Sequence, residues 1–205
     1  MVTSTAALSV AEAAERRRSI RQYSSEPVPR ADLEAILRVA LLAPSAFNLQ
    51  PWRFVIVESP ELKAKLAAAA NHQKQVASAP AVIVLYTDTA DALAHADEVV
   101  RPDLPAGRRE RTLGNIAKGV ATKTAEEREA WGAGQGYIAL GYLLLAAESL
   151  GYQTSPMLGF DAEAVKGALD LPSHVKVPAL VAVGRGQEDG LPHHRHAVAR
   201  VAGFR

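Results

Sequence analysis

Apolar positions recur along this chain in two rhythms. Leu33, Ile36, Leu37, Ala40 and Leu41 fall at the spacing of one helix face, and Pro44 ends that pattern because it lacks an N–H and disfavours α backbone at Ala43. Phe54-Val55-Ile56-Val57, Ala81 to Tyr86 and Ala179 to Val183 are instead unbroken apolar runs rich in β-branched residues, which predicts three buried strands. Ser9-Val10-Ala11-Glu12 fits a capping box that opens a helix running into Arg16, Arg17 and Arg18. Ser59-Pro60-Glu61 starts another helix with proline in its first turn, and Asp161 caps a short one reaching Leu169.

Two stretches break the rhythm. Residues 88–124 scatter Pro102, Pro105, Gly107, Gly114 and Gly119 among charges, so short helical pieces in an irregular excursion are expected. Excursions of that length inside a compact domain are functional lids or segments without fixed structure, and this one is a candidate active-site cap. Glu126 to Leu150 then reads as one long helix stopped at Gly151. It carries Gly132, Gly134, Gly136 and Gly141, each costing about 1 kcal/mol against alanine in a helix interior. Small residues let another backbone approach closely, so this helix is expected at a tight contact, with a partner chain as the first candidate.

Composition narrows the chemistry. With 205 residues, 48% of them hydrophobic, the chain supports one domain over 1–205 with a substantial core. A formal net charge of +1 argues against a nucleic-acid partner. The absence of cysteine removes disulfides, thiol nucleophiles and thiolate metal sites together, so any redox chemistry belongs to a cofactor. Met1 to Ala14 lacks the pattern of a secretory signal, and no apolar run reaches the ~18–20 residues of a membrane span. A cytoplasmic protein without membrane association is the expectation.

Several clusters carry polar chemistry. Arg17, Arg18, Ser19 and Arg21 concentrate donors, and guanidinium pairs bidentately with phosphate; a solvated helix end is the plainer reading of the same arginines. The run from Pro44 through Ser45, Phe47 and Asn48 to Gln50-Pro51-Trp52 is a polar turn between helix and strand. Asn71 can donate and accept, and Lys74, three residues on, would share its face on a helix. Pro156-Met157-Leu158-Gly159 reads as a loop whose glycine permits close approach of a planar ligand. His193, His194 and His196 have no carboxylate or cysteine framework, so no metal is expected there. Ser19, Ser45 and Ser155 lack a His–Asp arrangement, so no catalytic side chain is assigned. Gly132-Ala133-Gly134-Gln135-Gly136 lacks the spacing and the preceding strand of a dinucleotide fingerprint.

Five of these blocks together resemble the FMN-dependent nitroreductase family. They are Arg16 to Tyr23, Pro44 to Trp52, Asn71 to Val76, Thr154 to Asp161, and Arg195, all in the family's order. Pro-Ser-Ala-Phe-Asn-Leu-Gln and Pro-Met-Leu-Gly-Phe-Asp are most similar to a bacterial branch of NAD(P)H nitroreductases. The resemblance implies an α+β fold, a central mainly antiparallel sheet flanked by helices, in an intertwined homodimer. It implies FMN held by Arg17, Arg18, Ser19, Arg21, Asn71, Lys74, Pro156, Met157, Leu158, Gly159 and Arg195, with Pro44, Ser45 and Asn48 completing the partner's site. Arg17 to Arg21 and Arg195 would serve the ribityl phosphate and pyrimidine edge, and Asn71 the flavin N3–H. Lys74 or Arg21 would lie near N1, where a cation stabilises the charge of the reduced flavin. A backbone N–H near Gly159 would reach N5. Phe47 and Lys74 would face the substrate; Phe47 either stacks on it or packs the loop onto the core. NADH or NADPH would supply hydride, and nitroaromatics, quinones or similar small molecules would accept electrons in ping-pong order. Dehalogenation, flavin fragmentation and a non-catalytic flavin-binding module are the alternatives. Leu158, where better-known members carry Glu, removes any carboxylate role and leaves a backbone role; His193 departs from a lysine found in some members.

Overall fold

The computed structural model describes residues 8–205, so Met1–Ala7 of the N-terminal stretch lie outside it. Four strands form one antiparallel sheet in the order β1-β2-β4-β3: β1 (Trp52–Val57), β2 (Ala81–Thr87), β3 (Gln153–Met157) and β4 (Lys176–Gly184). The two central strands are buried on both faces, which is why they read as continuous apolar runs although antiparallel sheets often expose one face. Ile83, Leu85, Val181 and Val183 point to a core shared with α2 (Arg30–Ala40) and α7 (Ala125–Ser149). Val82, Val84, Leu180 and Ala182 pack on the other side, against α3 (Pro60–Ala69), α4 (Lys74–Ser78) and α8 (Ala162–Ala168). Helices thus flank the sheet on both sides, as the α+β expectation required.

The predicted caps are present. Ser9 and Glu12 close the capping box of α1 (Val10–Arg16), Ser59 accepts from the Leu62 amide, and Asp161 accepts from Glu163 and Ala164. Gly151 ends α7 with φ +77°, a conformation glycine adopts without penalty.

Four sequence expectations need correction. First, Pro156 to Gly159 is expected as a loop, yet a strand runs through Met157; its Pro156 suits only an edge position, and its Gln, Thr and Ser give no apolar run. Pro156 and Met157 therefore end a strand, and only Leu158 and Gly159 form the loop. Second, 88–124 is more regular than expected: α5 (Thr89–Ala94) is followed by a fifteen-residue α6 (Ala106–Val120) that tolerates Gly107, Gly114 and Gly119. Third, Asn71 and Lys74 share no helix; Asn71 and His72 sit at φ +54° in the turn between α3 and α4. Fourth, the glycines of α7 divide. Gly132 and Gly136 meet this chain's own Thr89, Thr87 and Pro178, whereas Gly134 and Gly141 face open space.

The open side of α7 is a stripe: Gly134, Tyr137, Ile138, Gly141 and Tyr142 recur at helical spacing, and its three large residues are exposed. Leu191, Val198, Val201 and Phe204 are exposed along the C-terminal segment, which holds α9 (Val198–Val201). No helix among the described residues is long and apolar enough to cross a membrane.

Candidate active site

The predicted residues gather at the two opposite edges of the sheet. At the β3 edge, Ser19 forms a parallel bridge with Thr154, and the Ile20 amide donates to the Thr154 carbonyl at 3.1 Å. The arginine segment thus runs along β3 as an added partial strand. Downstream on the same edge, β3 leads through Met157 into Leu158 and Gly159, both exposed. The Asn71 and Gln73 side-chain amides both donate to the Gly159 carbonyl, at 3.1 and 3.0 Å. Asn71, Gly159 and the exposed Lys74 at the start of α4 are therefore neighbours without sharing a helix.

The arginines play unequal parts. Arg18 turns its Nη1 to the carbonyls of Glu15, Arg16 and Arg17, capping α1, so for this side chain the helix-end reading holds. The Arg21 backbone amide donates to Glu188, and its guanidinium stays exposed. Arg17 is half-buried, and its Nη1 is sequestered from solvent without a hydrogen-bond partner. Burial, and then repulsion from Arg195, lower its pKa, opposed by the carboxylate of Glu148. Glu148 is itself buried, its Oε2 lacks a partner, and burial raises its pKa against the pull of Arg17, Arg16 and Arg18. Arg195 reaches this place because the C-terminal segment folds back, with His193 Nε2 3.2 Å from the Ala14 carbonyl. The buried Arg17 Nη1 is thus a donor without an acceptor in a neighbourhood that also holds Arg195 and Glu148.

Pro44, Ser45, Phe47 and Asn48 lie elsewhere. They lie in the segment that leads into β1, the strand at the opposite edge of the sheet from β3. Phe47, Asn48 and Gln50 all have left-handed backbone, with φ of 55°, 59° and 48°. The Ser45 hydroxyl accepts from the Gln50 amide at 2.9 Å, and the Asn48 side chain donates to the Val99 carbonyl at 3.2 Å. The Phe47 ring lies over Gly119 of α6, where an added Cβ would stand 2.6 Å from its Cζ.

One further residue belongs to this loop. Gln135 of α7 accepts from the Ala46 amide through Oε1 at 2.8 Å, while its buried Nε2 has no partner. In the sequence it lay hidden among glycines rejected as a dinucleotide fingerprint; a polar residue on the inner face of an amphipathic helix was the available signal.

Asp88, Glu129 and His174 bring their ligand atoms within 4.8 Å of one another, the metal-like cluster among the described residues. Part of their bonding capacity is used within the protein. Glu129 accepts from the Thr89 and Ala90 amides, and Asp88 Oδ1 faces the Asp91 amide and His174 Nε2. The cluster caps α5 and ties it to α7.

Comparison with known proteins points to one family. A model of the nitroreductase family matches residues 14–185. An NADH dehydrogenase of Thermus thermophilus is 51% identical, over 94% of this chain and 94% of that protein. YdgI of Bacillus subtilis, which carries a provisional NAD(P)H nitroreductase name, is 31% identical over 91% of this chain and 92% of its own length. A nitroreductase-type protein of Exiguobacterium sibiricum, solved in complex with FMN, superposes with a TM-score of 0.89 at 27% identity, covering 99% of this chain and 100% of that one.

Proposed function

The chain belongs to the nitroreductase family, and on that premise we propose that it is an FMN-dependent NAD(P)H oxidoreductase of cytoplasmic location, acting on quinones, nitroaromatics or similar electron-poor acceptors. The observation that carries this reading is the buried, unpartnered Nη1 of Arg17 beside Arg195. Two guanidiniums at one sheet edge suit a phosphate monoester, whose charge would supply the missing partner. Arg17 and Arg195 hold the phosphate; Arg21 and Ser19 lie along the next part of the cofactor. Asn71, oriented by its bond to the Gly159 carbonyl, offers its amide oxygen to the flavin N3–H. Leu158 and Gly159 are exposed at the end of β3, where backbone N–H groups are available to the ring. Lys74 supplies positive charge near the pyrimidine side. Bound there, FMN supplies hydride acceptance from NAD(P)H and two-electron delivery to the acceptor. No side chain of the protein forms a covalent bond in this scheme; the residues bind, orient and tune.

The working unit is a homodimer in which Pro44 to Asn48 of one protomer complete the site of the other. Two features support this. Within one chain, that loop and the arginines occupy opposite sheet edges. The exposed Tyr137, Ile138 and Tyr142 stripe, with Gly134 and Gly141 between, offers a second chain a close-packing surface. Gln135, whose Nε2 lacks an acceptor, would then aim a donor toward the shared site.

The test is direct. Purified protein should carry about one FMN per chain and sediment as a dimer. NADH or NADPH should bleach the flavin without oxygen, and a quinone should restore its colour. A monomer retaining stoichiometric flavin overturns the shared site. Flavin that neither nucleotide bleaches reduces the protein to a binding module.

A further inference from the structure

Outside the flavin cradle, a cavity of about 560 Å³ opens between the first turns of α7, α5, α8 and the loop leading into β4. None of the residues assigned to the cradle or to the Pro44–Asn48 loop lines it. Its volume falls in the range of small-molecule sites, and Ala90, Leu93 and Ala125 give it an apolar wall.

The charged residues around it are unequally occupied. Glu129 accepts from the Thr89 and Ala90 amides at 3.0 and 2.8 Å. Glu163 pairs with the buried Lys166 at 2.7 Å, and Lys166 also donates to the Ser173 carbonyl. His174 faces Asp88 at 3.0 Å. Two cations remain. Arg128 has a buried Nε with no partner, and among the described residues no side-chain hydrogen bond or ion pair engages the Lys176 ammonium. The carboxylate left unpaired is that of Glu126, exposed in the first turn of α7. The three lining carboxylates balance the three lining cations in formal charge, so the selection rests on the Arg128 Nε donor that has no acceptor, and a planar guanidinium suits a planar anion.

We propose that this cavity is a second small-molecule site, taking a compact organic anion with an apolar body, of the aromatic carboxylate class. Arg128 and Lys176 hold the carboxylate, and Ala90, Leu93 and Ala125 cover the ring. The site lies beside the cap of α5 and the start of α7, the helix that also carries Gln135.

Benzoate is the probe, with neutral benzamide as its control, titrated calorimetrically into the FMN-loaded protein. The expected result is saturable binding, one benzoate per chain, with Kd on the order of 1 mM and benzamide at least about tenfold weaker. Arg128→Met and Lys176→Met should each weaken benzoate roughly tenfold, the loss of a charge-assisted contact, while flavin content and absorbance stay as in the parent protein. Benzoate is flat enough to stack on flavin, so the spectrum discriminates. Binding that perturbs flavin absorbance and survives both substitutions overturns the proposal, as does the absence of saturable binding. Flavin content and nucleotide bleaching, measured on the same samples, report independently on the oxidoreductase reading.

Discussion

The β3 edge and the β1 edge of the same sheet solve their local problems in opposite ways. At the β3 edge Ser19 bridges Thr154 as ordinary extended chain and left-handed backbone is confined to the Asn71–His72 turn, while Arg17 and Glu148 keep buried polar atoms without partners. At the β1 edge the backbone is strained over one short loop whose polar side chains are bonded, the Gln135 Nε2 excepted. Phe47, Asn48 and Gln50 are left-handed, each at a cost of about 1 kcal/mol or more. Ser45, Gln135 and the Val99 carbonyl pin them in place. On the proposed function, the unpartnered Arg17 Nη1 is where a charged ligand would be held. Imposed backbone geometry marks a loop shaped to present itself outward. The first edge should govern cofactor affinity and the second acceptor choice.

The strongest test of that division is Arg17→Ala. Removing a charge-assisted phosphate contact should weaken FMN binding by about 1.5–3 kcal/mol, on the order of tenfold to a hundredfold, read by flavin fluorescence during titration of apoprotein. Arg195→Ala should do the same to a smaller degree, because Arg195 is exposed and already donates to the His194 carbonyl. If either substitution instead lowers the apoprotein melting temperature and spares FMN affinity, the β3 edge is structural.

A smaller effect is expected at the other edge. Phe47→Ala should leave FMN content and melting temperature nearly unchanged while reordering KM among quinones and nitroaromatics by up to about tenfold, the worth of an aromatic stacking contact. Gly119→Ala should reproduce that reordering, since its methyl would stand 2.6 and 2.8 Å from the Phe47 ring and push it aside. A large stability loss in Phe47→Ala with unchanged relative kcat/KM would mean that the ring only packs the loop onto α6.

What the sequence disclosed tracks the same contrast. The central strands, the capping box of α1 and the end of α7 were legible because each depends on local pattern: a run of β-branched residues, Ser and Glu three apart, a glycine after a long helix. β3 was not legible, because an edge strand can carry Pro156 and polar residues and owes its place to pairing with β4, far away in sequence. α6 was hidden for a related reason. Gly107 and Gly114 face open space and Gly119 receives Phe47, a tertiary fact that glycine propensity conceals. The site residues were visible as chemistry, but their division between two edges was not, since strand order is set by contacts between distant segments. Gln135 and Glu148 went unassigned because a polar residue on the buried face of a helix declares its partner only in three dimensions.

The smallest predicted effect probes the charge beneath the arginines. Glu148 is buried, and burial raises its pKa above the usual 4.5 despite Arg17, Arg16 and Arg18 nearby. A carboxyl whose folded pKa is raised contributes stability below the unfolded value and loses it as pH climbs through the folded one. Apoprotein with Glu148→Gln should therefore gain melting temperature over the parent as pH rises from 5 to 8, and match it most closely at pH 5. Cofactor affinity should follow the same sign. Above its pKa, Glu148 offsets part of the positive field of Arg17, while a phosphate monoester with a second pKa near ~6 becomes a dianion and needs that field more. Glu148→Gln should then bind FMN roughly two- to fivefold tighter at pH 8, with a smaller gain at pH 5. Weaker FMN binding in this variant at every pH would assign Glu148 the opposite task. It would then orient Arg17 toward the phosphate, and the β3 edge would be preorganised rather than merely undersupplied with negative charge.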